Sequence, residues 1–238
     1  MKHLKQKNEE ILKPIVQATV PLLVYYLVNQ GVVIFLMLVL QRYPQTENIG
    51  ENALLYLKTA VQMLGMLLAA LSVLSFYQKE HIYAKEFHQE KKIAKMGTLS
   101  AAGIVITGII TALVINYIFF ITGFMEYGDR YSQVAERQFS LPLWLAFLFY
   151  GILSPVAEEV VFRGIFYRFL RRNMTEIAAV VGSALMFGAF HGNVVQMLYG
   201  TIMGVFMALI YSKFEQILAP ILFHSAANTV VYLMSYFF

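Results

Sequence analysis

The sequence contains no cysteine and few charged residues, and each shortage excludes a class of protein. Among its 238 residues, 13% are Asp, Glu, Lys or Arg, whereas soluble domains contain about 25%. The lack of cysteine excludes a disulfide framework and a zinc ribbon. The scarcity of charge, together with 59% apolar residues, excludes a disordered chain, a coiled coil and an ordinary water-soluble enzyme.

The abundant apolar residues lie in long runs, each close to the length of about 20 residues that crosses a bilayer. They predict an all-α, polytopic membrane helix bundle with about seven transmembrane helices. No internal repeat or long linker divides the chain, so we expect one integrated membrane domain, with three helices in residues 1–140 and the remainder in 141–238. The runs are Ile15–Leu40, Ala53–Phe76, Leu99–Ile121, Leu141–Phe162 continuing towards Leu170, Ile177–Phe190, Val194–Tyr211 and Ile217–Phe238.

The basic residues predict the orientation of these helices. Four lysines precede the first run and five lie in residues 77–96, while Arg168, Arg171 and Arg172 follow the fourth run. By the positive-inside rule, the N-terminus is cytoplasmic and the C-terminus extracytoplasmic in a multi-pass protein of the cell membrane. Residues 77–96 are expected to form a charged, amphipathic cytoplasmic helix against the inner leaflet. This distribution accounts for the net charge of +4 without a nucleic acid as partner.

Ionisable and amide side chains within the runs concentrate in the last third of the chain. A charged group at the centre of a span costs about 2.5–3.5 kcal/mol on insertion scales. Such residues therefore mark a functional site, and their placement predicts one site built by three helices. They are Glu158, Glu159 and Arg163 in the fourth run, His191 at the end of the fifth, and His224 and Asn228 in the seventh.

Helical spacing separates the two neighbouring glutamates. Glu159 and Arg163 are four residues apart, so they share a helix face and are expected to pair. Glu158 is rotated by about 100° from Glu159 and is expected to face a cavity. Pro155, just before the carboxylates, should kink or restart the helix and free a backbone carbonyl there.

The residues in this cluster favour hydrolysis by water over an enzyme nucleophile. Ser154, Ser183 and Ser225 are present, but none lies in a Gly-x-Ser-x-Gly turn or pairs with a lysine. Glu158 could serve as the general base for a water molecule, and His191 could hold the same water. The resulting chemistry is hydrolysis of an amide bond.

Two further assignments concern the oxyanion and a metal. His224 and Asn228 could donate hydrogen bonds to a developing oxyanion. Two histidines and one carboxylate, here His191, His224 and Glu158, also form a known catalytic zinc set. Their spacing neither supports nor excludes a metal, so zinc and a metal-free mechanism both remain open.

Three short motifs in this region resemble those of one family. The segments Glu158–Arg163, Phe187–His191 and His224–Asn228 resemble its EExxxR, FxxxH and HxxxN motifs. The family is the CPBP intramembrane proteases, also called Abi, which are related to the type II CAAX prenyl endopeptidases. The resemblance covers residues 141–238, which we interpret as a CPBP-like catalytic core.

The resemblance implies an intramembrane endopeptidase of the metallo or glutamate type. Its substrate would be a membrane-associated peptide or lipidated protein, such as a CAAX-like, pheromone or bacteriocin precursor. We also expect a cytoplasm-facing opening wide enough for an extended peptide. The implied roles are activation of water by Glu158 and His191, oxyanion binding by His224 and Asn228, and support by Glu159 and Arg163.

Two other functions fit the same residues. A non-enzymatic bacteriocin-immunity or binding protein would use the buried polar set only to fix helix packing, and a Glu159–Arg163 pair suits that role. A proton-coupled transporter would use it as a proton relay. The transporter is disfavoured because the sequence shows no inverted repeat.

Overall fold

The computed structural model describes residues 2–42, 50–87, 94–126, 136 and 138–237, and these form helices without strands. The all-α class predicted from the apolar runs is confirmed. A short 3-10 turn, Phe124–Glu126, follows the fourth helix. The helices are α1 Lys2–Gln41, α2 Glu51–Ser72, α3 Leu74–Phe87, α4 Thr98–Ile121, α5 Leu143–Asn173, α6 Glu176–Ala189, α7 Val194–Phe214 and α8 Leu218–Phe237.

Seven of these helices are apolar, in agreement with the predicted number of spans. Six contain a segment long and apolar enough to cross a membrane, while α6 has 14 residues. At 1.5 Å per residue, α6 covers only about 21 Å of a hydrocarbon layer about 30 Å thick. A helix of this length that begins at one membrane surface ends inside the hydrocarbon layer, so we infer that the turn after α6, which carries His191, lies within the bilayer.

Helix α5 occupies the centre of the bundle. Over half of its most apolar window, 56%, is buried, compared with 11% of the corresponding window in α1. It contacts α1, α2, α3, α6, α7 and α8, whereas the other close pairs are α1 with α2, α4 with α8, α6 with α7, and α7 with α8. Residues 157–170 of α5 are buried or half-buried, while Trp144, Phe147 and Ile152 near its start are exposed, so the second half of α5 offers the surroundings of a buried site.

Two wide π-helical turns, Phe147–Leu153 and Val160–Tyr167, flank the segment that carries the glutamates. In such a turn an N–H bonds the carbonyl five residues earlier, as the N–H of Ser154 bonds the carbonyl of Phe149. The next residue is Pro155, which has no N–H. The carbonyl of Tyr150 is thereby freed, so the predicted free carbonyl is present although α5 continues through the proline.

The cytoplasmic segment predicted at 77–96 differs from the structure in one respect. Its helical part belongs to α3, and residues 88–93 lie outside the described part of the chain. Glu80 is buried, and Arg172 at the end of α5 lies 3.3 Å from its carboxylate. Burial raises the pKa of Glu80, although the guanidinium of Arg172 opposes the shift. This face of α3 therefore packs on α5, where the charge pattern alone indicated contact with the membrane surface.

Candidate active site

A cavity of about 270 Å³ lies among α2, α4, α5, α7 and α8. All four predicted catalytic residues, Glu158, His191, His224 and Asn228, line it. These residues come from α5, from the turn after α6 and from α8. The structure therefore brings together the polar groups that the sequence places in three separate helices.

The two neighbouring glutamates occupy different environments. Glu159 is fully buried, and Arg163 Nη1 donates a hydrogen bond to its Oε1 at 2.8 Å. Arg163 Nη2 donates to the carbonyl of Gly204 on α7 at 3.1 Å. The predicted pair is present, and it leaves Glu158 as the carboxylate that lines the cavity, with 17% of its side chain exposed.

His224 lies between the two carboxylates. Its Nδ1 is 3.0 Å from Glu159 Oε1, and its Nε2 is 3.9 Å from Glu158 Oε2. A carboxylate only accepts hydrogen bonds, so Nδ1 carries a hydrogen and donates a hydrogen bond to Glu159. That contact fixes the ring with Nε2 towards Glu158. Glu159 therefore orients His224 in addition to neutralising Arg163, and no spacing in the sequence indicates this contact across 65 residues.

Ser154 is a site residue that the sequence analysis assessed only as a nucleophile. Its hydroxyl donates a hydrogen bond to Glu158 Oε1 from four residues earlier on the same helix, and it also lines the cavity. The i, i+4 spacing was the available signal, since such pairs lie side by side on a helix. The hydroxyl holds one carboxylate oxygen of Glu158 in place.

His191 is fixed by its own backbone. Its Nδ1 lies 2.9 Å from the carbonyl oxygen of Phe187, and because a carbonyl only accepts, Nδ1 donates. The Phe187 ring contacts both imidazoles edge-on, at 5.1 Å from His191 and 5.6 Å from His224. The guanidinium of Arg163 lies 4.6 Å from the centre of the same ring. Phe187 thus packs between the two histidines and covers the buried ion pair.

Asn228 is anchored by the carbonyl that Pro155 leaves free. Its Nδ2 donates to Tyr150 O at 2.9 Å. An amide nitrogen carries two hydrogens, so this bond uses one of them. The contact ties α8 to the wide turn of α5 and holds the amide at the cavity wall.

The residues suggested for zinc do not fit a metal site in this arrangement. No group of three His, Asp or Glu side chains converges on a metal position within the described ranges. Both ring nitrogens of His224 face carboxylates, and Nδ1 is occupied by Glu159. A catalytic zinc needs three protein ligands and one open position, so no step below uses a metal.

The fold and the site together define a membrane helix bundle with a carboxylate–histidine–amide cluster at its centre. Residues 140–230 match the family model described as type II CAAX prenyl endopeptidase Rce1-like. This match supports the assignment of these residues to the CPBP/CAAX protease family, and the resemblance inferred from the three motifs is confirmed.

Two curated proteins are similar to this chain, and the first of them is named as a peptidase. The chain is 26% identical over 116 residues to "Putative membrane peptidase YdiL" of Bacillus subtilis (strain 168), in an alignment that covers 49% of this chain and 47% of the relative. It is 21% identical over 152 residues to "UPF0177 protein YbdI" of Lactococcus lactis subsp. lactis (strain IL1403), covering 60% of this chain and 80% of the relative. The chain thus spans about half the length of the first relative. No solved structure matches the chain.

Proposed function

We propose that the protein is an intramembrane endopeptidase that hydrolyses a peptide bond of a membrane-associated substrate with an activated water molecule. The observation that supports this proposal is the difference between the surroundings of the two glutamates. Glu159 is bonded to Arg163 and His224, whereas Glu158 lines a cavity that is also lined by two histidines and an amide. A site that only fixed helix packing would have no need of a second carboxylate at the cavity wall.

The base in this mechanism is Glu158. Its carboxylate takes a proton from water while the water oxygen attacks the carbonyl carbon of the substrate. Ser154 holds one oxygen of Glu158, which directs the other towards the water. The ring of His191, fixed through Phe187, supplies its Nε2 to orient the same water.

The remaining polar groups serve the tetrahedral intermediate. Asn228 on the opposite helix, α8, has a second amide N–H that can stabilise the developing oxyanion, and His224 contributes through Nε2 once that nitrogen is protonated, because its Nδ1–H is bonded to Glu159. When the carbon–nitrogen bond breaks, the proton held by Glu158 passes to the leaving amine. Water is consumed, and a carboxylate and an amine are released.

The cavity wall supports a peptide with apolar side chains as the substrate. Beside the polar cluster, the lining includes Met66, Phe119, Phe149, Met203 and Met207, and ligand sites of this composition bind apolar groups. CAAX-like, pheromone and bacteriocin precursors, lipidated or not, are the substrates that this proposal places first.

The test compares the purified protein with Glu158→Gln on a mixture of quenched-fluorescence peptides in proteoliposomes. Removing a general base typically costs about 10²–10⁴-fold in rate, so we expect at least a hundredfold loss of cleavage. The matched control is Glu51→Gln, at the exposed start of α2, which should cleave normally. Equal cleavage by Glu158→Gln would overturn the role of this residue, and solute flux without cleavage would favour a transporter.

We also propose that the reaction needs no metal ion, because Nδ1 of His224 is bonded to Glu159 and no three of the described His, Asp and Glu side chains converge on one metal position. Activity should survive dialysis against a chelator, and elemental analysis of the pure protein should find zinc well below one atom per chain. Chelation that abolishes cleavage, restored by zinc, would contradict this part of the proposal and leave the endopeptidase intact.

A further inference from the structure

The cavity extends from the polar cluster towards one end of the bundle. Its deep part is lined by residues near the middle of their helices, such as Glu158 of α5 and Met203 of α7. Its other part is lined by residues at helix ends on a single side of the bundle: Asn116 and Phe119 near the end of α4, Met125 after it, Gln138 and Phe139 before α5, and Gln196 at the start of α7. None of the described lining residues comes from the opposite end.

The opposite end of the bundle is the basic one. Contacts among the described residues assemble it: Arg172 meets Glu80 of α3, Arg171 lies 3.6 Å from Glu176 of α6, and the backbone of residue 94 bonds the carbonyl of Lys213. In the sequence, the segments that flank the helices at this end are 2–13, 79–95, 168–172 and position 213, and together they carry thirteen lysines and arginines. The segments 41–52 and 122–142, at the end towards which the cavity extends, carry three.

Because lysine and arginine mark the cytoplasmic side, the cavity extends towards the extracytoplasmic side. We infer that this site takes its substrate from outside the cytoplasm: a peptide already exported, or the outward-facing juxtamembrane segment of another membrane protein. The inference rests on the proposed endopeptidase function. It also replaces the expectation of a cytoplasm-facing opening, because the direction of the cavity is fixed by the helix ends that line it and was not available from the sequence.

The residues that line the outer part of the cavity indicate which kind of substrate segment fits it. Tyr232 stacks on Tyr150 at 5.1 Å and meets Phe139 edge-on at 5.4 Å, and the polar residues nearby are the amides Asn116, Gln138 and Gln196. Among the described lining residues, the acidic one is Glu158 and the basic ones are His191 and His224, and all three belong to the polar cluster at the deep end. An uncharged segment with apolar or aromatic side chains therefore fits this passage, whereas a strongly charged one would lose its hydration without gaining a partner.

The absence of cysteine makes the direction directly measurable. Ser140→Cys, exposed beside Phe139, and Lys213→Cys, exposed at the basic end, each introduce one thiol into a cysteine-free chain. In intact cells a membrane-impermeant maleimide should label Ser140→Cys, and label Lys213→Cys only after permeabilisation. The reverse pattern, or labelling of both in intact cells, would overturn the inference.

A second experiment measures on which side of the membrane the substrate is cleaved. Right-side-out and inverted membrane vesicles receive an impermeant quenched-fluorescence peptide with uncharged apolar residues around the scissile bond, with Glu158→Gln as the blank. We expect cleavage by right-side-out vesicles at least tenfold faster than by inverted ones, and equal rates once detergent opens both. Faster cleavage by inverted vesicles overturns the outward access alone, whereas no cleavage in detergent overturns the endopeptidase itself and with it this inference.

Discussion

Two regions of the bundle, around α5 and around α1, differ in what surrounds their side chains. Residues 157–170 of α5 are enclosed by other helices, whereas α1 presents large apolar residues outward, with Leu27 and Phe35 each 64% exposed. Both regions are apolar in sequence, but the buried polar groups of the site lie in the first. Lipid cannot satisfy a carboxylate or a guanidinium, so such groups must be enclosed by protein that supplies their partners.

Close helix contact is what encloses the site. At Gly188 on α6, an added Cβ would lie 2.1 Å from Thr201 Oγ1 and 2.4 Å from the carbonyl of Met197 on α7. Small residues allow helix backbones to approach in this way within membranes. In α1, an added Cβ at Gly31 would meet nothing within 4 Å. At these two glycines the helices therefore differ in packing distance, which substitutions can test.

The largest effect on stability is expected at the buried ion pair between Glu159 and Arg163. Arg163→Met leaves Glu159 charged and fully buried, and breaking a buried pair by removing one partner costs about 3–5 kcal/mol. We expect a large fall in the thermal unfolding midpoint in detergent. Lys58→Met, at an exposed position of α2, is the matched control in the outer region and should leave the midpoint unchanged.

A double variant distinguishes charge from shape at this position. Glu159→Gln combined with Arg163→Met removes both charges and should recover much of the lost stability, because an unpaired buried charge is the main cost. If the double variant is no more stable than Arg163→Met, the guanidinium contributes through packing on Phe187 and through its bond to Gly204, and the electrostatic explanation is wrong.

An intermediate effect is expected at the helix contact. Gly188→Ala must push α6 and α7 apart, and overpacking of this kind costs about 1–3 kcal/mol. Gly31→Ala meets no neighbour and gains up to about 1 kcal/mol of helix propensity. The two unfolding midpoints should therefore move in opposite directions. A fall for both would mean that α1 is packed as tightly as the centre.

Much of the fold could be predicted because the bilayer imposes a length on each apolar run. The third run was predicted at Leu99–Ile121 and the helix is Thr98–Ile121. The predicted bounds of the fifth run, 177–190, are one residue from those of α6. The burial of Glu80 was not predictable in the same way, since the periodicity of α3 does not show which protein surface lies beside it.

The candidate site also has features that the sequence could predict and features that it could not. The cost of a polar group in a membrane singled out Glu158, His191, His224 and Asn228, and all four line one cavity. Which atoms bond to one another depends on side-chain rotamers and on the relative rotation of helices. The contact of His224 with Glu159 and the direction of the cavity are decided at that level, so neither could be obtained from spacing.

The smallest expected effect concerns Ser154, whose hydroxyl orients Glu158. A hydrogen bond to a charged group is worth about 1.5–3 kcal/mol, so Ser154→Ala should lower kcat by at least about tenfold with little change in KM. Thr107→Ala is the matched control, because its hydroxyl, on the exposed face of α4, bonds only the carbonyl of Gly103 four residues earlier. Ser154→Thr keeps the hydroxyl and should restore most of the rate. An unchanged kcat in Ser154→Ala would contradict a role for this hydrogen bond, and the position of the general base would then be set by the packing around α5 alone.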